Sequence, residues 1–166
     1  MRRWVSVTVV FVAVAAIIAG SVLIASARAT RLEAGLSGEK EVSQQGEQGV
    51  GDPNGRGSAV VRVNVSGQRV CFDLSWRQIG APSAAHIHDG DPGRVGPVVV
   101  ALFTTGDEAA GEPEQDLPDS LKEVGGCVRV VDGALLRKIK NNPGNYYVNV
   151  HNDEFPDGAI RGQLHR

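Results

Sequence analysis

Two short runs of strict alternation set the terms on which this chain folds. Val61-Arg62-Val63-Asn64-Val65 and Val70-Cys71-Phe72-Asp73-Leu74-Ser75-Trp76 place apolar residues at every second position, with Ser66-Gly67-Gln68 and Arg69 between them. Side chains two apart on an extended strand share a face. The pattern therefore suits half-buried strands and not a helix, whose period is about 3.6. The short Gly-containing connection makes the pair a β-hairpin. Phe72, Leu74 and Trp76 then belong to the core face, and Cys71, Asp73 and Ser75 to the opposite one.

The same punctuation continues along the chain. With 21 Gly and 8 Pro, turns and short strands are favoured over long helices. Leu32, Ala34 and Leu36 alternate with polar residues or glycine and predict a first strand, whereas residues 43–58 lack apolar periodicity and read as an exposed loop. Ala84–His88 predicts a strand, followed by a turn-rich loop from Asp89 to Pro97. Val98-Val99-Val100-Ala101-Leu102-Phe103 is continuously apolar, which predicts a strand buried on both faces. Residues 107–119 are acidic and Pro-containing, hence loop, and Gly126–Val131 is a further strand.

Asp132–Lys140 is the one helical pattern: Asp132 as N-cap, Leu135, Leu136 and Ile139 on one face, basic residues in the last turn, and Asn142-Pro143-Gly144 as the stop. Tyr146–His151 and Ala159–Leu164 are the closing strands. The sum is about seven or eight short strands and one short helix, the pattern of a mainly β, antiparallel Greek-key β-sandwich.

Ahead of this lies Met1-Arg2-Arg3 and then residues 4–27 without a charge. At about 1.5 Å per residue this apolar helix spans about 36 Å, enough to cross a bilayer. Ala25-Ser26-Ala27 and Ala27-Arg28-Ala29 are small-x-small patterns that a signal peptidase could read. Residues 1–30 are therefore either a cleaved signal peptide or a membrane anchor, and residues 31–166 one exported domain. Export makes a disulfide between Cys71 and Cys127 the expected state of the two cysteines. A net charge of −2 with mixed signs gives no basic stripe, which argues against a nucleic-acid partner.

The chemistry-bearing residues are histidines. His86 and His88 sit two apart on one predicted strand and so share a face, and His151 lies on another. An i, i+2 pair joined by a third imidazole suits Cu(II) or Zn(II), with Asp89, Asn149 or Asp153 as further oxygen ligands. The competing reading is structural: the same histidines flank the two Gly/Pro turns and could hold them through backbone hydrogen bonds. Arg161, mid-strand beside Gly162, reads as an ion pair with Asp153, Glu154 or Asp157, or as an anion-binding group. No nucleophile, phosphate-loop or zinc-protease motif is present, so an enzyme is not expected.

Five segments together carry a family resemblance: Leu36-Ser37-Gly38-Glu39-Lys40-Glu41-Val42, Ala85-His86-Ile87-His88, Gly96-Pro97-Val98-Val99-Val100, Tyr146-Tyr147-Val148-Asn149-Val150-His151 and Phe155-Pro156-Asp157-Gly158-Ala159-Ile160-Arg161-Gly162-Gln163-Leu164. The chain resembles the CHRD domain, the module named after chordin and found alone in bacterial exported proteins. For such members the resemblance implies an extracytoplasmic β-sandwich that includes His86, His88 and His151, and no settled activity. The expected protein is a secreted or membrane-tethered binding module, for a transition metal or for an extracellular protein or matrix partner.

Overall fold

The computed structural model describes residues 28–105, 118 and 120–166. The apolar segment 4–27 lies outside the described residues, and with it the expected N-terminal helix, as does most of the 107–119 loop. Eight strands form one antiparallel sheet: β1 (Thr30–Ser37), β2 (Arg56–Asn64), β3 (Arg69–Arg77), β4 (Pro82–Asp89), β5 (Val98–Thr104), β6 (Glu123–Arg129), β7 (Tyr146–Asn152) and β8 (Ile160–Gln163). Their order is β5-β4-β7-β8-β1-β2-β3-β6, and one helix, α1 (Gly133–Asn141), lies between β6 and β7.

The expectation of a mainly β antiparallel fold with one short helix holds; the expected sandwich differs in detail. β1 pairs with β2 along its whole length and with β8 at Ser37↔Arg161, so the two halves are joined into a single curled sheet. The far edges β5 and β6 come into contact without a hydrogen-bonded ladder, giving a nearly closed barrel. After the β4–β5 hairpin, β6 returns to lie beside β3, a Greek-key connection.

The hairpin forms as its alternation requires. Val61↔Phe72 and Val63↔Val70 are cross-strand pairs, with Gln68 at φ 48° in the turn. Phe72, Leu74 and Trp76 are buried, and Cys71 and Cys127 are register partners on β3 and β6 joined by a disulfide. In α1 the Asp132 carboxylate accepts from the Ala134 and Leu135 N–H groups, and Leu136 and Ile139 are fully buried.

One strand departs from its sequence pattern. The Val98–Phe103 run predicts burial on both faces, yet β5 is an edge strand. Val100 and Leu102 face the core while Val98 is 50% exposed. Burial on both faces falls instead to β7, and to residues 160–162 of β8. Val148 and Val150 point into the barrel core, and Tyr147, Asn149 and His151 point outward. Loop segments cover that outward face, which creates a second, polar interior.

Candidate metal centre

The polar interior follows from register. His86 of β4 lies opposite Asn149 of β7, Asn149 opposite Arg161 of β8, and Arg161 opposite Ser37 of β1. The neighbouring row is His88, Tyr147 and Gln163. Residues directly opposite on adjacent strands share a face, so the two rows lie side by side, with His151 next to Asn149.

This brings the three expected histidines together. One ring nitrogen from each of His86, His88 and His151 lies within 4.8 Å of the others. His86 Nδ1 and His151 Nε2 are 3.2 Å apart. Two nitrogens tetrahedrally bound at about 2.05 Å stand about 3.3 Å apart, so that pair already has ligand spacing. The third stands at most about 1.5 Å beyond that spacing.

Hydrogen bonds fix the tautomers of two rings. His88 Nδ1 donates to the Gly96 carbonyl at 2.9 Å, and His151 Nδ1 donates to the Pro156 carbonyl at 2.9 Å. In the neutral ring each Nε2 then carries a bare lone pair. His151 Nε2 meets His86, whereas His88 Nε2 is buried with no hydrogen-bond partner. A metal-bound imidazole characteristically donates its other N–H to a carbonyl, and two of these three do so. All three are held neutral. Burial first, and then His151 and His88, push His86 down to about 4. Burial also lowers His88, against the Gly96 hydrogen bond, and lowers His151, against the Pro156 hydrogen bond. Neutral imidazoles offer their lone pairs without first losing a proton.

The expected oxygen ligands are placed differently. Asp89 and Asp153 are exposed, and neither joins the histidine group. In β4, Asp89 alternates with His88 and so faces the other way. Asn149 is 3% exposed on the histidine face, donates through Nδ2 to the Asp157 carbonyl at 3.4 Å, and has a buried Oδ1 without a partner.

Two further residues complete the layer. Tyr147 stacks on His88, with ring centroids 4.7 Å apart and planes 9° apart, and its hydroxyl accepts from the Gly96 N–H. The Arg161 guanidinium sits 3.5 Å from the Tyr147 ring centroid and donates twice to the Arg94 carbonyl at 3.1 Å. The ion pairs expected between Arg161 and Asp153, Glu154 or Asp157 are not formed. Arg161 points back under the 90–97 loop, away from those exposed acids.

The residue that sequence reasoning missed is Glu41. It is 2% exposed, its Oε1 has no partner, and burial raises its pKa from 4.5 to about 8, although Arg161 and the Val42 N–H pull the other way. A Cβ on Gly158 (φ 144°) would lie 2.7 Å from Glu41 Oε1 and 2.6 Å from Asn149 Nδ2, so glycine is required where the 152–158 turn closes over this cluster. Thus His88, Asn149 and Glu41 each hold an unpartnered buried atom in one continuous layer, an arrangement that needs explanation in a folded protein.

The profile of the CHRD domain matches residues 32–164, nearly the whole of the described fold. The chain belongs to the CHRD domain family. Comparison with curated proteins and with solved structures gives no match. The family assignment accords with the resemblance carried by the segments around Leu36, His86, Gly96, Tyr147 and Arg161. All five contribute to the polar layer or its covering loops, and each also supplies the hydrophobic core, through Leu36, Ile87, Val100, Val148 and Ile160.

Proposed function

We propose that this CHRD domain is an extracytoplasmic binding module that holds one Cu(II) or Zn(II) ion through His86, His88 and His151. The observation that carries the reading is His88 Nε2. It is a buried nitrogen with no partner, on a ring whose tautomer is set by the Gly96 carbonyl and which is grouped with two other imidazoles. Leaving such an atom unsatisfied costs about 1–3 kcal/mol, and a metal ion removes that cost. The buried Asn149 Oδ1 supplies a further oxygen on the same face. Binding would replace the His86–His151 hydrogen bond, with the His86 proton moving to Nε2.

Export is supported by Met1-Arg2-Arg3 with the uncharged stretch 4–27, and by the Cys71–Cys127 disulfide, which persists in oxidising compartments. The module is then secreted or tethered to the outer face of the membrane. Its role is binding rather than catalysis. The second reading keeps the histidines structural, within a domain that binds an extracellular protein or matrix partner. It is favoured by the His88–Gly96 and His151–Pro156 hydrogen bonds, each of which ties down a loop.

Titration of the full-length chain with Zn(II) and Cu(II) separates the two. The metal reading expects one equivalent bound and loss of that binding in the triple variant His86→Ala/His88→Ala/His151→Ala. Identical uptake by both proteins sinks it. Loop-holding histidines alone would leave His88→Ala with lower stability and unchanged metal uptake.

A further inference from the structure

The ladder between β1 and β8 is interrupted. It pairs at Ser37↔Arg161 and again at the bridge Glu33↔His165, but not at the position between, where Gly35 faces Gln163. A cavity of about 390 Å³ opens at this gap, bounded by Gly35, Gly162, Lys40, Arg161 and His165, with the Pro92–Gly93 edge of a covering loop. That size lies within the range of small-molecule sites, about 300–1,000 Å³.

The cavity lining is basic, and the acid that flanks it on the same face of β1, Glu33, is paired with Arg31. None of the residues lining the cavity is acidic. Arg161 is 2% exposed and has no ion-pair partner among the described residues, while the Lys40 ammonium donates one of its three N–H groups to the Gly35 carbonyl at 2.6 Å. A buried guanidinium normally lies against a carboxylate or another anion, because an uncompensated buried charge is costly. The one carboxyl near it inside the fold, Glu41, is itself buried and held largely protonated at neutral pH. The Arg94 carbonyl uses two of the five guanidinium N–H groups.

We infer that the β1–β8 gap is a binding site for a small molecule bearing an oxyanion, a carboxylate or phosphate group, held between the Lys40 ammonium and the Arg161 guanidinium. Glycine at 35 and 162 lets the anion approach the backbone. A Cβ on Gly162 would collide with the Gly35 carbonyl and fill the gap. The histidine centre contributes nothing to this lining, so the site stands whether or not a metal binds.

Calorimetric titration of the full-length chain, stripped of metal with a chelator and dialysed, tests it with two probes. Inorganic phosphate reports a phosphate site and citrate a carboxylate site. Saturable binding of at least one is expected. Lys40→Gln should weaken it about tenfold or more, and Lys40→Glu, which places a carboxylate at the mouth, should abolish it. Lys40 is exposed, so both variants should unfold thermally close to the parent. No saturable binding of either probe to the parent chain, or equal binding by Lys40→Glu, overturns the inference.

Discussion

Replacing Glu41 by Gln probes the polar interior directly, because the isosteric amide cannot ionise. The Glu41 carboxyl titrates near 4.5 when unfolded and near 8 when folded. A carboxyl whose folded pKa is raised holds its proton more tightly in the native state. Its contribution to stability is complete below pH 4.5 and is lost as pH rises towards 8. At 1.36 kcal/mol per pH unit, a span of about 3.5 units amounts to about 5 kcal/mol. The Gln variant lacks this loss, so its stability relative to the parent should climb by about 5 kcal/mol between pH 4.5 and pH 8. The histidines titrate alike in both proteins and cancel in the difference. Urea unfolding at several pH values across this window measures it. A flat difference would mean that Glu41 is ionised in the fold. Such a flat difference would point to a buried Glu41–Arg161 ion pair, and the protonated Glu41 of this polar layer would be wrong.

His86, lowered from 6.5 to about 4, with His88 and His151 lowered as well, stabilises the fold above pH 6.5 and loses that contribution as pH falls towards 4. Zinc affinity measured by competition with a chelator should therefore fall less steeply as pH drops below 7.5 than it would for histidines titrating at about 6.5. The Cys71–Cys127 bond closes a sequence separation of 56 residues. The double variant Cys71→Ser/Cys127→Ser should unfold with about 4 kcal/mol less stability, seen as a lower urea midpoint that added reductant does not move.

Much of this architecture can be read from local chemistry. The β2–β3 hairpin follows from alternation, α1 from the Asp132 cap and its apolar face, and the shared face of His86 and His88 from the two-residue period. Each depends on neighbours in sequence. Val98–Phe103 reads as doubly buried although β5 is an edge strand, because an apolar run looks the same at a sheet edge as at its centre; strand order, a property of the whole topology, decides which. Arg161 failed for a related reason. Its nearest acids in sequence are exposed, while its actual partners are Tyr147 and the carbonyl of Arg94, 67 residues away. Glu41 carries no periodic signal. Its burial depends on Gly158 letting a distant turn close over it, and only its place in the Leu36–Val42 segment marked it at all.

His86, His88 and His151 are proposed to form one metal site. X-ray absorption at the zinc edge of the chain loaded with one equivalent of Zn(II) tests it most directly. Three imidazole nitrogens at about 2.0–2.1 Å are expected, with the outer-shell scattering of histidine rings. A first shell of oxygens alone, with no imidazole signature, would contradict it.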